Sequence, residues 1–321
     1  MAITKNKQTE NTIRLMAKAA FPDLEVTSIK ELTEGMCNVT YQICLDNGTE
    51  SILKITSKDE QGRISNEVNL MEAEVRAMEL VKKSKLVKVA DIYLYDCSKT
   101  ICDSDYFFME KLEGDNFILI RERLTPKEVA QINFETGQIA RKLTAIKNGQ
   151  FGFLGDRERF DSLYDFVHKM LRNLIEDASK EDISLGINEN TLLDNLAHDK
   201  SCFDEVTQPT LVHWDMWEGN ILVKEGHVSG VIDWERALWG EAYMDDRFRR
   251  HTRGEDFLRG YGQTEFSQSE RKRIAWYDII LYLTLMIEVT YRKYDDNGQY
   301  HWAKGMLHET YHDKLLNSPK E

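Results

Sequence analysis

The sequence predicts an α+β protein of two lobes, a small antiparallel-sheet lobe over residues 1–111 and a larger, mainly helical lobe over 112–321. Three observations carry that prediction. Residues 27–112 alternate apolar and polar side chains in short runs, broken by one helical stretch, which is the texture of a half-buried antiparallel sheet. Past residue 117 the apolar residues recur at helical spacing instead. One strand-like pair, "ILV" and "VSGVI", interrupts the helical half and is bracketed by "HWDMWEGN" and "DWE".

The elements follow in order. "TIRLMAKAA", 12–20, is a short amphipathic helix closed by "FPD". "TSIKEL", "VTYQICLD" and "ESILKIT" are strands, and Asn47-Gly48 between the last two is a strong hairpin signal. A helix is expected over 64–83 from the spacing of Leu70, Ala73, Ala77 and Leu80. "VADIYLYD" and "DYFFMEKL" complete the sheet, and "EGDNF", 113–117, marks the boundary. Thr125-Pro126-x-Glu128 is a capping box with proline at the first helical position, opening a helix whose buried face is Val129, Ile132, Ile139, Ala140 and Leu143. Further helices are expected over 162–178, 191–207 and most of 255–315.

Composition narrows the function. With 42 basic against 55 acidic residues the net charge is -13, which repels phosphate backbones and argues against nucleic acid as the main partner. The five cysteines form no C-x-x-C pair, and the N-terminal residues are polar and lack a signal-like apolar run. The apolar run 279–287 is too short for the ~20 residues of a membrane span and reads as a core helix. A cytoplasmic protein with no membrane and no evident protein partner is expected.

The constellation around 213 carries chemistry. A hairpin bending at 225–226 sets residue 220 opposite 231 or 232, so Asn220 and Asp233 meet at its open end beside the loop holding Asp215. An Asn and an Asp without His or Cys offer hard oxygen ligands suited to Mg²⁺. Asp215 is then placed to orient an attacking hydroxyl and accept its proton. His213 is expected to anchor the loop. Trp214 and Trp217 are expected to wedge it against the helical lobe, with a stacking role toward substrate as the alternative for Trp217.

"HWDMWEGNILV…GVIDWE" resembles the aminoglycoside phosphotransferase and choline kinase family, small-molecule kinases that share the protein-kinase-like fold. The resemblance implies ATP and Mg²⁺ as cofactors, Asp215 as catalytic base, Asn220 and Asp233 as metal ligands, and Asp245 in "ALWGEAYMDD" as a structural acid. It further implies that Lys54 in "SILKIT" contacts the α- and β-phosphates, paired with a helix glutamate. Glu67 and Glu74 both qualify, being seven apart and so expected on one helix face, and the likeness of "EVRAMELV" favours Glu74. "TEGMCN" resembles the family's short phosphate loop, with Gly35 to Asn38 over the phosphates, and the adenine edge is expected on the Glu110 carbonyl and the Leu112 amide.

The acceptor is expected to be a small hydroxyl-bearing molecule with at least one positive charge, an aminoglycoside-like antibiotic first, with choline, ethanolamine or a sugar as the alternative. The grounds are the acids of the helical lobe, Glu241, Asp245, Asp246, Glu255, Asp256, Glu288, Asp295 and Asp296, and the aromatics Trp276, Tyr282, Tyr291 and Tyr294, which suit cation–π contacts. The basic run "RFRRHTRG", 247–254, points the other way, toward an anionic group. A catalytically silent nucleotide-binding protein would be expected to lack the base, the lysine or a metal ligand, and all three are present.

Overall fold

The computed structural model describes residues 6–33, 38–57 and 62–312. Helix α1 (Glu10–Ala20) is capped by Thr9 and buries Ile13, Met16 and Ala17. Strands β1 (Val26–Leu32), β2 (Val39–Leu45), β3 (Glu50–Ile55), β4 (Ile92–Asp96) and β5 (Tyr106–Glu110) form one antiparallel sheet in the order β1-β2-β3-β5-β4. At the β2–β3 turn Gly48 takes φ +85°, a left-handed conformation that glycine adopts without strain. Strand alternation sends Leu53 and Ile55 to the face covered by α1 and sends Ile52 and Lys54 to the opposite face.

That second face receives helix α2 (Leu70–Ser84), through Met71, Val75, Met78 and Val81. The helix begins at residue 70, not at the expected 64. Asn69 sits at φ +45°, which breaks the helical run, and residues 62–69 instead form a strap laid along the helical half. Ile64 is buried in the core of that half, and Ser65 donates from its amide and its hydroxyl to Asp177 at 2.6 and 2.5 Å. Asn66 Nδ2 donates to Met170 O at 3.1 Å and Asn69 Nδ2 to Gly155 O at 3.0 Å. Residues 62–69 thus bond to the helical side although they precede residue 111 in the chain.

The helical half contains α3 (Phe117–Ile120), α4 (Pro126–Leu143), α5 (Leu163–Lys180), α6 (Glu189–His198), α7 (Lys200–Asp204), α8 (Glu255–Tyr261), α9 (Gln268–Tyr291) and α10 (Gly298–Thr310). The Thr125/Glu128 capping box forms as the sequence predicts. The helix expected over 191–207 is two. The chain breaks at Asp199, whose carboxylate is drawn aside to Lys272 Nζ at 2.6 Å and Trp276 Nε1 at 3.1 Å. Helix α9 is long and apolar enough in composition to cross a membrane, and most of it is buried inside the molecule, Trp276, Ile279, Leu283 and Met286 among its core residues.

Two three-stranded sheets lie between these halves. One, in the order β10-β9-β6, joins β6 (Asp115–Asn116) to the hairpin of β9 (Ile221–Lys224) and β10 (His227–Val231). The other, in the order β7-β11-β8, joins β7 (Gly152–Phe153), β11 (Leu238–Gly240) and β8 (Thr210–Val212). Together they bring the segments 213–220 and 232–236 to the Lys54 face of the five-stranded sheet, beside α2.

Candidate active site

The hairpin geometry follows from its turn. Glu225 at φ +54° and Gly226 at φ +77° are both left-handed, as a two-residue hairpin turn of this hand requires. Ile232 N donates to Asn220 O at 3.0 Å, so Asn220 lies opposite 232 and beside Asp233. Asp233 itself is at φ +66°, a conformation that costs a non-glycine residue about 1–3 kcal/mol and clusters at functional sites. It turns the carboxylate toward the sheet, where Lys54 Nζ donates to Asp233 Oδ1 at 2.8 Å.

Lys54 also donates to both oxygens of Glu74, at 2.8 and 2.9 Å, and Glu74 is completely buried. This separates the two candidate glutamates. Glu74 is the partner of Lys54, while Glu67 precedes α2 and turns away to Arg236 and Arg292. A third carboxylate, Glu235, stands with Glu74 and Asp233, each offering an oxygen within 4.8 Å of the others. Three carboxylates around one ammonium leave an excess of negative charge. Burial opposes the Lys54 charge, but Asp233, Glu74 and Glu235 outweigh it and push its pKa up. Burial raises Glu74 and lifts Glu235 to about 7, whereas the Lys54 ammonium holds Asp233 below its usual range against burial. A cluster this acidic, made only of oxygen donors, fits a divalent hard cation such as Mg²⁺.

The Asp215 loop is fixed from both sides. His213 is fully buried, its Nε2 bonded to Ile232 O at 3.0 Å and its Nδ1 accepting from Asp215 N at 3.3 Å. Burial depresses its pKa to about 4, so it is neutral, with the proton on Nε2. Trp214, at φ +68°, donates from its amide to Asp245 Oδ2 at 3.0 Å, and its ring lies on Phe153 with centroids 5.6 Å apart. His213 and Asp245 therefore anchor the loop, as the sequence predicts. Asn220 Nδ2 donates to Asp215 O at 2.9 Å and to Asp215 Oδ2 at 3.1 Å, which leaves Asn220 Oδ1 as the atom to face a cation. Burial and the nearby Asp233 and Asp246 charges raise the Asp215 pKa well above the carboxylate range, against the influence of Arg236. A raised pKa suits a general base working near neutral pH.

Other expected residues fall as follows. Asn38 Nδ2 donates to Glu235 Oε2 at 2.7 Å, placing it across the mouth of the site, and Gly35 lies outside the described residues. Glu110 N donates to Asp91 O at 2.7 Å, and Leu112 is buried against Gly230 of β10. Trp217 does not wedge the loop. It is 40% exposed, and its ring packs against Gly219, where a Cβ would come within 2.3 Å of a ring carbon.

The acceptor side corrects the sequence reading most. Trp276 and Tyr282 are core residues, and Tyr291 donates to Asp177 O at 3.2 Å. Glu241 is held by Arg273 at 2.9 Å and by Tyr277 at 2.7 Å, and Glu288 by Arg236 and Arg292, both at 3.0 Å. Two arginines of the basic run are turned inward, Arg247 buried over the Phe257 ring and Arg249 buried against Asp278 at 3.4 Å, while Arg250 and Arg253 are exposed. Asp246 Oδ2 is buried without a hydrogen-bond partner among the described residues. Glu235 and Arg236 received no role from the sequence. The acid two places past Asp233 and the basic residue after it are the only signals it offered.

A lysine, its buried glutamate, a turn aspartate and a separate Asp–Asn pair define a kinase-like phosphotransfer centre. Residues 28–265 match the family described as "Phosphotransferase enzyme family", and the chain belongs to that family of small-molecule kinases. Solved structures agree on the fold. A protein designated a fructosamine-3-kinase from Haemophilus somnus 129PT superposes with a TM-score of 0.68 at 14% identity, covering 94% of this chain and 97% of that one. Its counterpart from Thermobifida fusca YX-ER1 gives 0.66 at 16% identity, covering 95% and 100%. A thermostable mutant of aminoglycoside phosphotransferase APH(4)-Ia, in a ternary complex with ADP and hygromycin B, gives 0.64 at 13% identity, covering 96% and 100%. The fold is thus the two-lobed protein-kinase-like one. No curated protein matches the chain.

Proposed function

We propose that this protein transfers the γ-phosphoryl group of ATP to a hydroxyl of a small, cationic acceptor, with an aminoglycoside-like antibiotic as the first candidate. The observation that carries the reading is the pair of 2.8 Å bonds from Lys54 to Glu74 and to Asp233, the latter 179 residues away in the chain, formed beside the Asp215–Asn220 pair. Asn220 and Asp233 would hold Mg²⁺, which neutralises phosphate charge when bound. Lys54, released from Asp233, reaches the α- and β-phosphates while Glu74 keeps it aimed. Gly35, Asn38 and the backbone of Glu110 and Leu112 complete the nucleotide site. Asp215 orients the acceptor hydroxyl and takes its proton as the phosphoryl group departs in line.

A cationic acceptor is supported by the net charge of -13 and by the Asp246 charge felt at Asp215. The partly exposed Trp217 indole offers an apolar contact two residues from Asp215. Action in the cytoplasm, where ATP is supplied, is part of the same proposal, and an aminoglycoside acceptor would make the enzyme a resistance factor. Choline, ethanolamine and sugars are the alternative acceptors. An ATP-consumption screen across aminoglycosides, macrolides, choline, ethanolamine and sugars tests the reading. The KM of a cationic acceptor should climb with ionic strength as attraction is screened. Productive acceptors that are all neutral or anionic, with KM indifferent to salt, would overturn the charge assignment.

A further inference from the structure

Behind the cleft a second set of charges joins the two ends of the site. Glu67 lies three residues ahead of α2, which carries Glu74, and Arg236 lies three residues past Asp233. Arg236 Nη2 donates to Glu67 Oε1 at 2.8 Å and to Glu288 Oε2 at 3.0 Å. Arg292, just past the end of α9, bonds the same two carboxylates, at 2.6 Å to Glu67 Oε1 and 3.0 Å to Glu288 Oε2. Gln299 Nε2 donates to the other oxygen of Glu288 at 2.8 Å. No side chain of the four is more than 13% exposed.

Two positive and two negative charges cancel, so the cluster carries no net charge. Its specific property is geometric. Each guanidinium is a rigid planar fork held by two carboxylates, and well-packed apolar residues would serve as well if cohesion were the only need. The contacts join three parts of the chain that carry the chemistry or brace it: the strap into α2, the segment leaving the Asp233 turn, and the end of the core helix α9. The strap is independently bound to the helical half through Ser65, Asn66 and Asn69. Arg76 of α2 itself donates to Leu154 O at 2.8 Å. The base of α2 therefore belongs mechanically to the helical half, whereas Lys54 rides on the sheet.

We infer that Glu67 and Arg292 are positioning residues for phosphoryl transfer: through Arg236 and the strap they hold the Asp233 turn and the base of α2 in one frame, so that the metal-side carboxylate and the partner of Lys54 keep their separation when the lobes move. The inference rests on the phosphotransferase reading of the site. It places catalytic consequence in residues that touch neither nucleotide nor acceptor.

The test compares Arg292→Met, which strands a buried carboxylate, with Glu67→Met/Arg292→Met, which replaces an ion pair by apolar side chains of similar length. The single variant should melt well below the wild type, and the double variant should regain most of that loss. In both, kcat should fall by about 10–100-fold, as misplacement far from the chemistry can do. The Mg²⁺ concentration giving half-maximal rate should rise while the acceptor KM stays unchanged, and Arg292→Lys should recover part of the Mg²⁺ dependence. Amide exchange should quicken together over 62–76 and 232–238. Wild-type kcat and Mg²⁺ requirement in the double variant would overturn the inference, as would faster exchange confined to the end of α9. Failure of the phosphotransferase reading shows separately, in the unaltered protein, as no binding of Mg-ADP by calorimetry.

Discussion

Asp215→Asn separates the acceptor end of the site from the nucleotide end. The substitution keeps the shape of the side chain, and its amide oxygen can still accept the 3.1 Å bond from Asn220 Nδ2. What it removes is the capacity to take a proton. A positioned base contributes roughly 10²–10⁴-fold, so the chemical step should slow by that factor, about 3–5.5 kcal/mol of barrier. The nucleotide contacts should be untouched, because Lys54 bonds Glu74 and Asp233, not Asp215. Mg-ADP affinity should therefore stay within about twofold of the wild type, roughly 0.4 kcal/mol. Rapid-quench single turnovers at saturating Mg-ATP give the rate, and calorimetry with Mg-ADP gives the affinity. Before an acceptor is known, slow ATP hydrolysis can report the same base acting on water. A variant that keeps more than a tenth of the wild-type rate refutes the assignment of the base. So does a loss of Mg-ADP affinity that parallels the loss of rate, since it would put Asp215 in the nucleotide site.

Two further outcomes follow from buried charge. Lys54→Met leaves Glu74 and its neighbours Asp233 and Glu235 without their ammonium, and stranding buried charge in this way costs about 3–5 kcal/mol. Denaturant titration at pH 8 should show that loss, Lys54→Met/Glu74→Gln should recover much of it, and an unchanged midpoint in the single variant would mean the carboxylates are solvated. Asp246, raised to about 6 chiefly by burial, keeps its proton in the native state at pH values where the unfolded chain, with an ordinary carboxyl near 3.9, has lost it. The native form then binds more protons, so its contribution is fully present below about pH 4 and is lost as pH rises through 6. Asp246→Asn does not titrate, so the variant should gain about 1–2 kcal/mol on the wild type between pH 5 and pH 8. Parallel stability curves would show that Asp246 ionises normally.

The fold was legible because its signals are local. Asn47-Gly48, the Thr125 capping box and the alternation of Leu53, Lys54 and Ile55 each report a conformation set within a few residues, and each appears in place. The Asp215–Asn220–Asp233 grouping was legible for the same reason, since one short hairpin carries Asn220 to 232. The errors occur where a distant partner outweighs local preference. Helical spacing ran unbroken from 64 to 83, yet Asn69 turns left-handed and the strap peels away to bond Asp177, Met170 and Gly155. The helix expected over 191–207 splits at Asp199 because Lys272 and Trp276, more than seventy residues on, claim its carboxylate.

Charge shows the same limit in a form that bears on the acceptor. A sequence counts ionised side chains but not whom they meet. In the helical half Glu241 meets Arg273, Glu288 meets Arg236 and Arg292, and Arg249 of the basic run meets Asp278, so some acids expected around the acceptor pocket are neutralised inside the fold. A buried charge beside its opposite partner projects little net field into a distant pocket. Among the described residues near Asp215, Asp246 Oδ2 is buried without a hydrogen-bond partner, and the Trp217 indole on Gly219 stays partly exposed. Under the proposed function, the Trp217 indole, two residues from Asp215, is the apolar contact that a cationic acceptor would find beside its hydroxyl.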